Sequence, residues 1–268
     1  MSIITISRGA YSRGQELAEK IADRLNYECV SREILLEASD EFNIPEIKLI
    51  KAIHDAPSIL DQFSYGRQKY IAFIQAAISR HFQKDNVVYC GLAGHFFIRD
   101  ITHALKVRIV VDLEERVRDE MQKEGISAKK ARHRIAMDDR ARRKWSKHLY
   151  GIDTQDPYNY DLILHLKSIT RDDAVDIICN TVSLPQFQTT PESQRAMDDL
   201  ALATQVKVAL VDTHPDAEVQ ASDGAIRIAA AMSVYETEKV TRQMKEIALS
   251  VPGVRSVKVD IRLTDPVE

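Results

Sequence analysis

Four short stretches of this chain are almost unbroken apolar runs: Ile3 to Ser7, Val87 to Cys90, Val107 to Val111 and Leu162 to Leu166. Each is strand-length, and each is separated from the next by enough residues for at least one helix. A strand that is apolar on successive positions has no face to offer water, so it must be covered on both sides. Runs of this kind alternating with amphipathic helices predict a parallel α/β sheet with helices on both faces.

The segments between the runs fit that prediction. Gln15 to Leu25 carries Leu17, Ile21 and Leu25 at helical spacing, and Asn26 to Val30 reads as a second, short strand. Several amphipathic helices are expected between Arg32 and Lys84, broken near Asn43-Ile44-Pro45 and Ala56-Pro57. His95 to Ile101, Glu114 to Lys147 and Arg171 to Cys179 are further predicted helices. The stretch Ser183 to Ser193 holds two prolines among Gln, Thr and Ser and reads as a linker. Beyond it the predicted order is helix (Met197 to Leu210), strand (Glu218 to Ala221), turn at Asp223-Gly224 and strand (Ala225 to Ala230). A helix (Glu236 to Leu249), a turn at Pro252-Gly253 and a strand (Ser256 to Ile261) follow. Both turns place glycine where a positive φ is needed. The expected organisation is therefore a domain over residues 1–182, a linker over 183–193, and a small α+β domain of αββαβ order over 194–268.

Charge separates the same two parts. The chain has 37 basic and 40 acidic residues, net −3. From Pro191 onward there are 13 acidic and 9 basic residues (net −4), which leaves 27 and 28 before it (net +1). No basic field of the kind that non-specific nucleic-acid binding requires is present. Cys29, Cys90 and Cys179 are widely spaced among apolar neighbours, with no CxxC pair and no Cys/His cluster. That pattern fits buried, reduced thiols in a cytoplasmic protein, with no metal ligands. The opening residues lack the basic flank and cleavage site of a signal peptide, and no stretch is long and apolar enough to span a bilayer.

Chemistry is first suggested by the loop after the first strand: Ser7-Arg8-Gly9-Ala10-Tyr11-Ser12-Arg13-Gly14-Gln15-Glu16. Two glycines five apart, between an apolar strand and a helix, are placed like a phosphate-binding loop. In such a loop backbone N–H groups and the helix dipole hold anionic oxygens. The full motif continues with Lys and then Ser/Thr, whereas Gln15 and Glu16 stand here. Arg8 and Arg13 can supply part of the missing charge. The alternative is a tight strand-to-helix turn with Ser12 as N-cap.

A second candidate is the basic stretch Lys129 to Arg134, continued by Asp138 to Trp145. Arg132, Arg140 and Arg143 recur at spacings of eight and three, near one stripe. They fit either a solvated helix face or a lid whose forked guanidinium donors close over a polyphosphate. A third is Gly91-Leu92-Ala93-Gly94-His95, at the carboxyl end of a buried strand, where ligands of open α/β sheets gather. There His95 is read as a packing or capping residue.

These residues, with Ile4-Thr5-Ile6-Ser7-Arg8, Val30-Ser31-Arg32-Glu33-Ile34-Leu35, Gly94 to Ile101, Val107-Arg108-Ile109-Val110, Asp139-Arg140 and Tyr160-Asp161-Leu162, resemble the cytidylate kinase-like family of P-loop proteins over residues 1 to about 181. The resemblance implies a nucleoside-monophosphate-kinase fold with ATP as donor, Mg²⁺, and CMP or dCMP as acceptor. It implies Gly9, Ser12, Gly14 and Gln15 on the phosphates beside Arg8 and Arg13. It also implies Arg32 near the acceptor nucleotide, and Arg140, Arg142 and Arg143 in a lid. Arg13, Arg140 and Arg143 become the candidates for acting on the transferring phosphoryl group. The chain departs from the family pattern at Tyr11 (usually Gly), at Gln15 (often a cation) and at Gly91-Leu92-Ala93 (commonly Gly-Arg-Gly). Losing cations from a reaction that runs on electrostatic stabilisation bears on catalysis more than on binding.

The tail, about residues 194–264, resembles a BON domain through Val206 to Leu210, Asp223 to Ile228 and Val251 to Val257. That implies a small ligand or a protein partner there, with self-association left open. Three functions remain: a kinase, a nucleotide sensor that does not turn over, and a scaffold that binds no nucleotide.

Overall fold

In the computed structural model of the chain, residues 1–10, 12–31, 66–91, 94–232 and 237–263 are described. They form two compact units, one of residues 1–59 and 84–190, the other of 60–83 and 191–268. The predicted helices over 32–65, with their breaks, lie outside the described residues, as do Tyr11, Arg32, Leu92, Ala93 and Glu236.

The first unit is built on five parallel strands: β1 (Ile3–Arg8), β2 (Glu28–Val30), β3 (Val87–Tyr89), β4 (Ala104–Val111) and β5 (Leu162–Leu166), in the spatial order β2-β3-β1-β4-β5. β1 runs down the middle, Ile3 opposite both Val87 and Ala104. All residues from Ile3 to Ser7 are buried, as an apolar run requires. Helices α1 (Gly14–Leu25) and α6 (Arg171–Val182) bury Leu17, Ile21 and Ile178 against Ile4, Ile6, Leu105, Val107 and Leu164. Ile178 is fully buried, so Ile178→Val should lower the unfolding free energy by about 1 kcal/mol. A urea midpoint shift at constant slope would check this.

The order of strands decides where a ligand can sit. The connection leaving β1 runs to one side of the sheet, toward β2, and the one leaving β4 runs to the other, toward β5. Adjacent strands whose connections part in this way leave a crevice at their carboxyl ends. That crevice opens between Arg8 on β1 and the end of β4. The sheet is also less covered there than the apolar runs predict. Val110 and Ile163 remain 36% and 42% exposed, and Lys106 and Arg108 alternate with buried Val107 and Ile109.

Other elements differ in detail. The predicted helix His95 to Ile101 is a single turn, α3 (Gly94–Phe97). The basic stretch 114–147 is two helices, α4 (Leu113–Glu124) and α5 (Ala128–Tyr150), parted at Gly125 and restarted by Ser127, whose side chain accepts from the Lys130 amide. The expected linker 183–193 contains a 3₁₀ turn, Pro185–Phe187, and the start of the next helix at Pro191.

The second unit contains α7 (Pro191–Leu210), β6 (Glu218–Ser222), β7 (Ala225–Met232), α8 (Thr237–Leu249) and β8 (Ser256–Leu263). Its sheet has the order β6-β7-β8, with β6 antiparallel and β8 parallel to β7. Gly224 (φ 76°) and Gly253 (φ 94°) make two of its turns. The α, β, β, α, β order agrees with the sequence pattern. The unit also takes in α2 (Gly66–Gln83), which the boundary at residue 182 assigns to the first domain. Gln83 donates to Asp198 at 3.0 Å, Gln194 donates to the Gln83 carbonyl at 3.1 Å, and Gln68 reaches Asp216 at 3.1 Å. A linear boundary cannot represent a unit assembled from two separated stretches.

Candidate functional site

β1 ends at Arg8 and hands the chain through a five-residue loop to α1. Ser12 donates from Oγ to the Gly9 carbonyl at 3.0 Å, which ties the loop across itself. It therefore does not cap α1. The N-cap is Arg13, in the left-handed region at φ 50°, and it supplies no side-chain hydrogen bond. The helix thus begins without a capping side chain, and its first-turn amides are left to be satisfied from outside. A second clamp comes from far along the chain. Asp139 on α5 accepts from the Ala10 amide at 2.8 Å, and Arg116 on α4 donates to both Asp139 (2.7 Å) and the Ala10 carbonyl (3.1 Å). A carboxylate thus already rests on one amide of the loop.

Gly14 is required by a close approach. A Cβ there would overlap Cδ of Arg8 and come within 2.9 Å of its Nε. The Arg8 side chain passes directly over this glycine and donates from Nε to Cys90 Sγ at 3.3 Å. Arg8 therefore lies across the start of α1.

Two cavities meet at this point. The outer cleft, about 770 Å³, lies before the first turn of α1 and is lined by Gly14, Gln15, Glu16, Asp119, Asp138 and Lys123, among others. The inner cavity, about 180 Å³, lies at the carboxyl ends of β1 and β4 and includes Ser7, His95, Arg108, Trp145 and Thr154 in its wall. Among the described residues Arg8 and Arg142 are the two that line both. Arg142 makes no hydrogen bond or ion pair within 4 Å among the described residues. Its pKa is pushed down by burial and by the neighbouring Arg8, against the weaker pull of Asp138 and Asp139. Two guanidinium groups held together with their repulsion only partly offset are electrostatically costly, and a bound anion lowers that cost.

The inner wall is cationic. Arg116 is neutralised by Asp139. Arg143 makes a forked contact with Asp153, 2.6 Å at its closest, and holds that carboxyl far below the usual carboxylate range. Arg108 donates weakly to the Ser7 and Tyr160 hydroxyls, at 3.4 and 3.3 Å, and stacks on the Tyr160 ring at 5.5 Å. His95 is 3% exposed, lies against the rings of Phe96 and Tyr160, and has a buried Nε2 without a hydrogen-bond partner. Burial, then Arg108, Arg99 and Lys106, lower its pKa to about 3, so the ring is neutral.

The residues singled out from sequence divide accordingly. Arg8, Gly9, Ser12, Gly14, Gln15, Arg142 and Arg143 line one or both cavities. Arg13 also edges the outer cleft, and its guanidinium is paired with Asp119 on α4 at 3.2 Å, which also lines that cleft. Gln15 donates to Glu19, one turn along. Arg140 is exposed and lines neither cavity, and Arg132 is bound to Glu114. Of the expected stripe of Arg132, Arg140 and Arg143, Arg143 alone lines a cavity. Arg142 stands roughly 200° around the helix from Arg140 and faces the site. Arg108, Arg116 and Asp139 were not foreseen as site residues. For Arg108 a signal existed: a cation inside an otherwise apolar strand needs a partner or a ligand.

Among the described residues no group of three His, Cys, Asp or Glu side chains is arranged to hold a metal ion. The three cysteines form no disulfide. No helix there is long and apolar enough to cross a membrane.

The chain is similar to a protein of Eubacterium ventriosum ATCC 27560, 22% identical, with a TM-score of 0.53 over 68% of this chain and 97% of that one. It is also similar to shikimate kinase from Bacteroides thetaiotaomicron, 11% identical, with a TM-score of 0.43 over 68% and 99%. Among curated proteins, a uronate isomerase of Corynebacterium glutamicum is 29% identical over 97 residues, 36% of this chain but 19% of that protein. The chain therefore spans only a fifth of that relative's length. A parallel sheet of order β2-β3-β1-β4-β5, a glycine-bearing loop from its central strand into an uncapped helix, and a match of residues 3–168 to the family model agree: the chain has the α/β fold of P-loop kinases and belongs to the cytidylate kinase-like family.

Proposed function

We propose that this protein is an ATP-dependent phosphoryl transferase, with the donor in the outer cleft and the acceptor in the inner cavity. The observation that carries this reading is that Arg8 and Arg142, with no carboxylate within 4 Å among the described residues, line both cavities. A phosphoryl group crossing between the sites passes those two guanidinium groups. Catalysis of such a transfer consists of positioning and charge stabilisation. An acceptor oxygen attacks the γ-phosphorus, the bond to the bridging oxygen breaks, and ADP leaves with the electron pair. A hydroxyl acceptor would release its proton to solvent. The first-turn amides of α1 would meet the donor's phosphates. Arg8 and Arg142 would supply the charge that a loop lysine supplies elsewhere. Mg²⁺ fits as an ion carried by phosphate oxygens and water, the usual mode for this cation, since the described residues offer it no cage of their own.

The family resemblance implies CMP or dCMP as acceptor, and CMP is the first to assay. Calorimetry with ATP and Mg²⁺ should show binding that Arg142→Met weakens at least tenfold, and ADP should accumulate once an acceptor is supplied. A wild-type protein giving no heat with ATP would end the reading.

A second reading is favoured by Gln15 and Glu16 in place of the motif's Lys and hydroxyl residue: a sensor that binds nucleotide without turning it over. It predicts ATP binding with no ADP formed. In either case the second unit is read as BON-like, from its αββαβ order and the turns at Gly224 and Gly253. It would be a ligand-sensing or assembly module of a cytoplasmic protein.

A further inference from the structure

The inner cavity has properties that phosphoryl transfer alone does not require. Among the described residues five arginines line it, with Asp139 as the one acidic residue. Arg116 is spent on Asp139, and Arg143 on Asp153. Arg8, Arg108 and Arg142 remain without a carboxylate within 4 Å among the described residues. Two of these three border the outer cleft and are accounted for by the transferring group. Arg108 is not: it lies deeper, on β4, and lines only the inner cavity. Its contacts are one guanidinium nitrogen shared at long range between two hydroxyls. The fork, which suits two oxygens of one oxyanion, has no such partner.

Beside it sits the His95 ring, nearly sealed from water, with one nitrogen lacking a partner. A neutral imidazole offers one donor and one acceptor and fits an uncharged polar group rather than a second oxyanion. The space is small. About 180 Å³ lies well below the roughly 300–1,000 Å³ of pockets that enclose drug-sized ligands.

We infer that the inner cavity is an acceptor subsite for a compact oxyanion, a small hydroxylated phosphate or carboxylate rather than a nucleotide, with the oxyanion held by Arg108 and a hydroxyl by His95. This deepens the phosphoryl-transfer reading and rests on it for the word acceptor; the binding claim itself stands apart from ATP. Arg108 is then a specificity residue for the second substrate. The cation missing from Gly91-Leu92-Ala93 has its counterpart in Arg108 on β4, which pairs with the other side of β1 from β3.

The test is calorimetric, on the full chain, with inorganic phosphate, glycerol 3-phosphate, malate and CMP as probes, each titrated with and without saturating ADP and Mg²⁺. Glycerol 3-phosphate and malate distinguish a phosphate from a carboxylate acceptor. At least one of the small anions should bind one to one in either condition. Arg108→Met should weaken it tenfold or more, and Arg108→Lys, which keeps the charge without the fork, to an intermediate degree. The His95 imidazole signals should move with that anion in the wild type and stay still in the Arg108→Met protein. ADP affinity serves as the check on folding, because Arg108 does not border the outer cleft. Small anions that bind equally well to both variants, or that do not bind at all, would overturn the inference while leaving the donor reading untouched. CMP binding tighter than every small anion and dependent on Arg108 would overturn the size argument and make the cavity a nucleotide site. Loss of ADP binding in the wild type with small-anion binding retained would instead remove the donor reading.

Discussion

A methyl group at position 14 should abolish most of the protein's hold on ATP while leaving it folded. Gly14 has no Cβ where the middle of the Arg8 side chain passes, and alanine there would overlap Arg8 Cδ. The helix is anchored by buried Leu17, Ala18 and Ile21, so the arginine moves instead of the backbone. It then leaves Cys90, and its guanidinium no longer sits at the junction of the two cavities. Each charge-assisted hydrogen bond lost from a phosphate is worth about 1.5–3 kcal/mol. Gly14→Ala should accordingly weaken ATP ten- to a hundredfold, with a thermal midpoint within a few degrees of wild type. Because both changes act on one guanidinium, Gly14→Ala and Arg8→Met should be far from additive. Additive losses in the double variant would show that Gly14 acts through the loop backbone and not through Arg8.

The acid limb of the stability curve should carry a large contribution from His95. In the unfolded chain this imidazole takes up a proton near pH 6.5, whereas in the folded protein it stays neutral to about pH 3. The groups facing it, Arg108, Arg99 and Lys106, are all cations and reinforce the effect of burial. Between those two values the unfolded chain binds the extra proton, so stability falls as the pH drops through the window and is unaffected above it. Over the whole window this amounts to on the order of 4–5 kcal/mol. His95→Phe keeps a ring against Phe96 and Tyr160 and removes the proton site. Urea titrations at pH 7.5, 5.5 and 4 should show the two proteins converging, or the variant overtaking, as the pH is lowered. Parallel curves would mean that the imidazole is protonated in the folded state.

Much of the frame was legible in the residues. An apolar run such as Val107 to Val111 has few ways to be satisfied except in the interior of a parallel sheet, and Gly9 and Gly14 marked the turn from strand to helix. What could not be read was which distant groups meet. The carboxylate on the Ala10 amide comes from Asp139, 129 residues away, and nothing local to either residue announces it. Arg13 looked like a phosphate ligand from its place in the loop, yet its left-handed backbone swings the side chain toward Asp119. Arg140 and Arg142 are chemically equal in a list of basic residues, and only the rotation of α5 separates a solvated guanidinium from one aimed at the site. The assignment of α2 to the second unit was hidden for a related reason. Amphipathic spacing tells a helix to find a partner without saying which one.

That assignment also has a consequence for synthesis on the ribosome. Residue 83 emerges 108 residues before residue 191, where the partner helix begins. At roughly 5–20 residues per second, α2 waits about 5–20 s with its apolar side uncovered. During that interval the nascent chain is a substrate for holding factors, and a slow stretch of translation across residues 84–190 would lengthen its exposure.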